Sequence, residues 1–210
     1  MKGTACVMAL ALALVSSTTG VAGQTATAKP GQGSKPPGGA AAAPAAPAPV
    51  RRSPGAGPII AFDTAKGAFE IETYPNEAPK TVAQVIALVK RNFYNGLRVH
   101  RYEPGFLVQF GDPQTRDMTK KADWGTGGSG RPVGASEVSP KRPHRVGAVG
   151  IAWAGDPRMA DSQIYILFAA QPQLNARYTV FGQVISGMEV VEKLRIPDVI
   201  KRVTVREAAK

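Results

Sequence analysis

The sequence predicts a mainly β domain: a closed antiparallel barrel of about eight strands with two α-helices capping its ends. Two observations carry that expectation. Period-2 alternation of apolar and polar residues dominates residues 58–210. The two helical patterns lie far apart, so strands and helices do not alternate as in a parallel α/β sheet. At roughly 150 residues the segment suits a single core, and it shows no internal repeat.

The elements follow in order. Strands are predicted over Pro58–Asp63 and Ala68–Tyr74, flanking Thr64-Ala65-Lys66-Gly67, a turn whose glycine can take positive φ. A helix over Lys80–Arg91 carries Val82, Val85, Ile86 and Val89 at helical spacing, with Pro79 suited to its first turn. Further strands are expected at Leu97–Arg101, Phe106–Gln109, Gly147–Ala152, Gln163–Phe168, Thr179–Ile185 and Arg202–Glu207. A short helix is expected over Met188–Leu194.

Two segments precede the domain. Residues 1–23 read as a secretory signal, with Lys2, the apolar run Cys6–Val15 and small residues leading to Val21-Ala22-Gly23 before Gln24. The run is too short to span a bilayer, and Cys6 precedes it, whereas a lipoprotein cysteine would follow. The expectation is export to the periplasm or beyond, without stable membrane insertion. Residues 24–57 are rich in Ala, Pro and Gly and contain no acidic or aromatic residue. Such a segment cannot bury enough apolar surface to offset its backbone entropy, and is expected to be a disordered linker. Its four basic residues, Lys29, Lys35, Arg51 and Arg52, allow a tether or an anionic contact as the functional alternative.

Composition narrows the function classes. The chain has 210 residues, 26 basic against 15 acidic, and a net charge of +11. A hydrophobic content of 43% argues against wholesale disorder. The single cysteine, Cys6, lies in the leader, which excludes a disulfide scaffold and a Cys-ligated metal site. His100 and His144 lack metal-ligand spacing, so no metal or cofactor is expected. Gly125-Thr-Gly-Gly-Ser-Gly130 matches G-x-G-x-x-G, but Arg131-Pro132-Val133-Gly134 cannot open the helix that a dinucleotide site needs. No G-x-S-x-G elbow surrounds a serine. The basic residues are scattered and lack an aromatic-lined strand face, so nucleic acid is not an expected partner.

What remains is one arginine among apolar, aromatic and neutral polar residues, in Val99-His-Arg-Tyr-Glu-Pro-Gly-Phe-Leu-Val-Gln-Phe-Gly-Asp112. Alternation brings Gln109 within reach of Arg101, with Phe106 and Leu107 near the turn at Pro104-Gly105. Periodicity alone leaves open an ordinary barrel strand with Arg101 on its outside.

The string resembles the cyclophilin signature F-H-R-x-x-P-G-F-M-x-Q-G-G-D. Three further stretches resemble cyclophilin motifs in the same order: Gly125-Thr-Gly-Gly128, Ile151-Ala-Trp-Ala-Gly155 with Asp161-Ser-Gln-Ile-Tyr-Ile166, and Leu174-Asn-Ala-Arg-Tyr-Thr-Val-Phe-Gly182. The resemblance covers residues 58–208. It implies the eight-stranded cyclophilin barrel and peptidyl-prolyl cis–trans isomerisation, without a cofactor. It makes Arg101 the catalytic arginine, and Phe106, Leu107 and Tyr165 the proline pocket. Gln109 and Gln163 would contribute hydrogen bonds, Ala152 and Trp153 would line the peptide groove, Leu174 and Tyr178 would form the rim, and Gly125 would lie nearby. The implied partners are proline-containing peptides and unfolded exported proteins, bound by a monomer. The alternative is a cyclophilin-like module that binds proline-containing segments with little turnover.

The departures from the motifs are specific. Leu107 stands for methionine, Tyr165 for the pocket phenylalanine, Trp153 for asparagine and Tyr178 for histidine. Gln173 occupies the place of a tryptophan that anchors cyclosporin in many eukaryotic members, which implies weak inhibition by the drug.

Overall fold

A computed structural model describes residues 57–207. The predicted leader and the arm, apart from Gly57, lie outside the described residues. The strands are β1 (Ile59–Thr64), β2 (Gly67–Thr73), β3 (Arg101–Glu103), β4 (Leu107–Phe110), β5 (Ala148–Ile151), β6 (Ile164–Leu167), β7 (Val180–Ser186) and β8 (Ile200–Arg206). They form one curled sheet in the order β3-β4-β6-β5-β7-β2-β1-β8, with antiparallel pairing throughout.

Local chemistry explains the tight connections. β1 and β2 pair up to Thr64 and Gly67, leaving Ala65-Lys66 as a two-residue turn, with Gly67 at φ +125°. β3 and β4 turn through Pro104 and Gly105, and the Phe106 N–H donates to the Glu103 carbonyl at 3.0 Å. Proline followed by a glycine at φ +70° matches the demands of a type II turn.

The predicted full closure and the strand Leu97–Arg101 both need correction. The turn sets the β3–β4 register as Arg101↔Gln109 and Glu103↔Leu107, so the strand begins at Arg101. Residues 97–100 instead run beside the approach to β8. There Val99 N–H donates to Asp198 O at 2.9 Å, Ile200 N–H donates to Leu97 O at 2.8 Å, and Arg98 bridges Val199. The edge strands β3 and β8 are thus joined through one bridge, and the barrel is only partly closed.

The first helix, α1 (Pro79–Lys90), matches its prediction and buries Val82, Val85, Leu88 and Val89. Ala78 offers no cap, and Glu137 supplies one from a distant loop, its carboxylate accepting from Lys80 N–H at 2.9 Å and Thr81 N–H at 2.8 Å. The second helix, α2 (Met188–Val191), is a single turn, shorter than the predicted Met188–Leu194. The Arg195 guanidinium folds back onto the carbonyls of Glu192 and Leu194, at 2.6 and 2.7 Å, and takes up acceptors at the helix end. Among the described residues, 3-10 turns that the sequence did not predict lie at Pro113–Arg116, Met118–Asp123 (kinked at Lys120), Pro157–Met159 and Pro172–Leu174.

Alternation along the strands divides the apolar residues between two clusters. Val108, Phe110, Val149, Ile151, Ile164 and Ile166 belong to the main core with Phe62, Phe69, Phe181 and the buried face of α1. Phe62 and Phe69, partners across β1 and β2, stack at 4.7 Å. The intervening residues Leu107, Ala148, Tyr165 and Leu167 point the other way and join Tyr74 and Val180 in a smaller cluster. That second cluster lies on the face carrying Arg101.

Candidate active site

The pairing register places one row of residues across five strands. Arg101 of β3 stands opposite Gln109 of β4, which stands opposite Tyr165 of β6, then Gly150 of β5, then Val180 of β7. Directly opposed residues share a face. Arg101 therefore lies outside the main core, and the face it shares holds the second apolar cluster.

A hydrogen-bonded chain runs along one side of this face. Arg101 Nε donates to Glu103 Oε1 at 2.7 Å, and its Nη1 donates to Gln109 Oε1 at 3.3 Å. The arginine and Glu103 side chains are 43% and 46% exposed, so the pair is solvated and the guanidinium remains reachable. Gln109 Nε2 donates to Gln163 Oε1 at 2.8 Å. Gln163 Nε2 in turn donates to the carbonyls of Gly125 and Gly127, at 2.9 and 2.8 Å.

The glycine loop is held from below by Asp112. Its buried carboxylate accepts from the backbone N–H of Gln114 at 2.8 Å, Gly125 at 2.6 Å and Gly127 at 3.1 Å. A Cβ on Gly127 would stand 2.4 Å from Asp112 Oδ1, so this close approach needs glycine. His100 lies beneath Gly125. Burial pulls the His100 pKa down to about 4, against the opposing pull of the Asp112 carboxylate, so the ring is neutral at physiological pH.

The other side of the face is apolar. Leu107 and Tyr165 are 3% exposed, and Phe106, Ala152, Leu174 and Tyr178 pack around their cluster, each partly buried. Tyr178 meets Tyr165 edge-on at 6.2 Å, and Trp153 stacks on Tyr178 at 5.0 Å. Arg101 joins the two halves: its Cζ lies 5.8 Å from the centroid of the Phe106 ring. The arrangement is a guanidinium donor beside an apolar, aromatic-lined surface.

Residues 59–209 match the family described as cyclophilin type peptidyl-prolyl cis-trans isomerase. The chain belongs to this family. As a cyclophilin it is an isomerase, and bacteria are among the sources of its relatives. It is 44% identical over 132 residues to a probable peptidyl-prolyl cis-trans isomerase of Brucella abortus, covering 61% of this chain and 67% of that one. It is 39% identical over 137 residues to peptidyl-prolyl cis-trans isomerase B of Bacillus subtilis, covering 65% and 90%. Among solved structures it resembles a cyclophilin type isomerase of Cryptosporidium parvum, with TM-score 0.63, 26% identity, and coverage of 73% of this chain and 99% of that one. The same Cryptosporidium protein was also solved in the presence of the dipeptide Ala-Pro, and matches with TM-score 0.62.

Within this cyclophilin, most of the residues that the motifs singled out fall on the Arg101 face or its rim, while Trp153 packs against the main core and reaches the site through its stack on Tyr178. Arg101, Gln109, Gln163 and Gly125 are joined by hydrogen bonds, while Phe106, Leu107, Ala152, Tyr165, Leu174 and Tyr178 build the apolar side. The sequence did not reveal the partners of Tyr165. His144, which the sequence marks only as lacking metal-ligand spacing, is buried, and its Nε2 lies 2.7 Å from the Tyr165 hydroxyl. A tyrosine in place of phenylalanine was the signal, since a buried hydroxyl requires a partner. Burial pushes the Tyr165 pKa well above its usual value, and the phenol stays protonated.

Proposed function

We propose that this cyclophilin accelerates rotation about X–Pro bonds in peptides and unfolded exported proteins, with Arg101 stabilising the twisted amide. The observation that carries the proposal is the guanidinium of Arg101 at the edge of the Phe106–Leu107–Tyr165 cluster. The proline ring would sit on that cluster, with Leu174 and Tyr178 at its rim and Ala152 and Trp153 along the groove. Gln109, anchored through Gln163 to the glycine loop, would orient the arginine. The choice of Ala-Pro as a probe is supported by the Cryptosporidium relative solved in its presence.

Rotation of the peptide bond breaks amide resonance against a barrier of ~20 kcal/mol. No bond forms or breaks, so the step needs neither a nucleophile nor a general base. In the twisted state the prolyl nitrogen becomes pyramidal and gains a lone pair, and a donor aimed at it strengthens only then. Shortening a half-time from tens of seconds to milliseconds requires about 10⁴-fold, or roughly 5–6 kcal/mol. One charge-assisted hydrogen bond beside an apolar surface supplies about half of that. The apolar surface supplies the rest by holding the ring while the flanking carbonyl swings.

The predicted leader supports an exported location and hence exported, proline-containing clients, with residues 24–57 as a linker. The deciding experiment follows cis-to-trans conversion of an Ala-Pro peptide with the wild-type protein and with Arg101→Ala. Fast conversion that the substitution largely removes is expected. Wild-type binding without acceleration would overturn the catalytic proposal in favour of a proline-binding module.

A further inference from the structure

We infer that His144 is a positioning residue of the proline pocket: it fixes the Tyr165 ring as the pocket floor and ties that floor to the Leu174–Tyr178 rim. This rests on the proposal that the Tyr165 cluster receives proline.

The proton assignment follows from the partners. The backbone N–H of His144 donates to Asn175 Oδ1 at 2.8 Å, and the same oxygen lies 3.0 Å from His144 Nδ1. A backbone N–H can only donate, so the shared atom is an acceptor, and Nδ1 must carry the imidazole proton. Nε2 is then bare, and the Tyr165 hydroxyl donates to it across 2.7 Å. The rings lie nearly parallel, 9° apart. Burial lowers the His144 pKa, in keeping with the neutral ring that this pattern needs.

The same residue grips the rim from behind. The His144 carbonyl accepts from Gln171 N–H at 2.8 Å, and the Gln171 carbonyl accepts from Leu174 N–H at 3.0 Å. The Leu174 carbonyl accepts from Tyr178 N–H at 3.2 Å. His144 thus contacts the segment that presents Leu174 and Tyr178 through Gln171 and Asn175, while its Nε2 holds the floor. Tyr165 and His144 form a unit: without the imidazole, the hydroxyl is a buried donor lacking this acceptor. The ring can satisfy it only by leaving the floor or admitting water.

Removing the acceptor should therefore weaken proline binding and leave the chemistry at Arg101 largely intact. For His144→Leu, the KM for an Ala-Pro peptide should rise about tenfold while kcat stays within about twofold, the pattern of lost uniform binding. A slowly exchanging Tyr165 hydroxyl proton is expected by NMR in the wild type and should be absent from the variant. In His144→Leu/Tyr165→Phe neither partner is left unmade, and most of the lost affinity should return. A KM within twofold of wild type for His144→Leu, or a double variant as impaired as the single, would overturn the inference. If His144→Leu does not fold, His144→Gln with and without Tyr165→Phe is read the same way: non-additive KM effects support it and additive effects overturn it. The dissociation constant of the Ala-Pro peptide, measured by NMR titration on the same proteins, separates the two proposals. Wild-type binding without turnover removes the catalytic reading, while the dissociation constants still decide the role of His144.

Discussion

Tyr165 lies directly over Gly150, its partner on the neighbouring strand: a Cβ at residue 150 would stand 2.1 Å from Tyr165 Cζ and 2.2 Å from its hydroxyl oxygen. Tyr165 therefore uses the space that a side chain on β5 would fill. The ring is fixed from three directions, by Gly150, by the edge-on contact with Tyr178 and by His144.

Gly150→Ala tests whether that space is required. The alanine methyl collides with a buried ring that cannot swing away without breaking its bond to His144. The expected cost is ~1–3 kcal/mol of stability, as for other overpacked sites. kcat/KM for an Ala-Pro peptide should fall by about tenfold or more as the floor is displaced. Urea unfolding and peptide kinetics on the same sample check both, and unchanged kinetics would show that the ring's position is unimportant for turnover.

Arg101→Lys tests the catalytic geometry. Lysine keeps the charge but replaces a planar fork of donors with one ammonium on a flexible stem. Turnover should fall about 30–150-fold, equivalent to ~2–3 kcal/mol of transition-state stabilisation. Peptide affinity and melting temperature should hold, because the side chain is 43% exposed and, on the proposed reading, the apolar cluster supplies most of the binding. Turnover within about threefold of wild type, under 1 kcal/mol, would move the catalytic role from Arg101 to the apolar pocket.

His100 predicts loss of stability in acid. Its folded pKa, about 4, lies below the ordinary value of 6.5, so between those values the unfolded chain binds a proton that the folded chain refuses. The stabilisation is complete above pH 6.5 and is lost as pH falls through about 4, with a size of order 3 kcal/mol. His144, also shifted down by burial, acts in the same direction. Denaturant midpoints at pH 7 and pH 4.5 should fall further apart for the wild type than for His100→Gln. Equal pH dependence in the two proteins contradicts the assignment.

Gln173 predicts weak inhibition by cyclosporin. The residue is exposed in the segment Pro172–Leu174, and its amide donates to Gln171 Oε1, so no indole is offered at the place where many cyclophilins present one. Gln173→Trp should tighten inhibition about tenfold or more, on the scale of ~1.4 kcal/mol, when peptide turnover is titrated with the drug. A wild-type inhibition constant equal to that of a tryptophan-bearing cyclophilin would refute the role of this position.

The chain's local order was readable in advance. Alternation located seven of the eight strands to within about two residues, and helical spacing located α1, because side-chain periodicity is a property of neighbouring residues. The ordered motifs singled out the residues that gather around Arg101. Beyond the strands joined by tight turns, tertiary structure alone decided which strands adjoin. The turn at Pro104-Gly105 already brings Gln109 to Arg101, but the register that adds Tyr165 and Gly150 relates segments far apart in the chain and leaves no trace in any one of them. It alone set Arg101 outside the main core, and it left the barrel joined through a single bridge between Arg98 and Val199. Glu137 capping α1 and His144 receiving the Tyr165 hydroxyl are contacts of the same kind. Sequence shows that a helix start lacks a cap, or that a tyrosine replaces a phenylalanine. Which distant residue satisfies each exposed or buried group depends on the packed chain, where burial makes an unpaired donor costly and proximity supplies its acceptor.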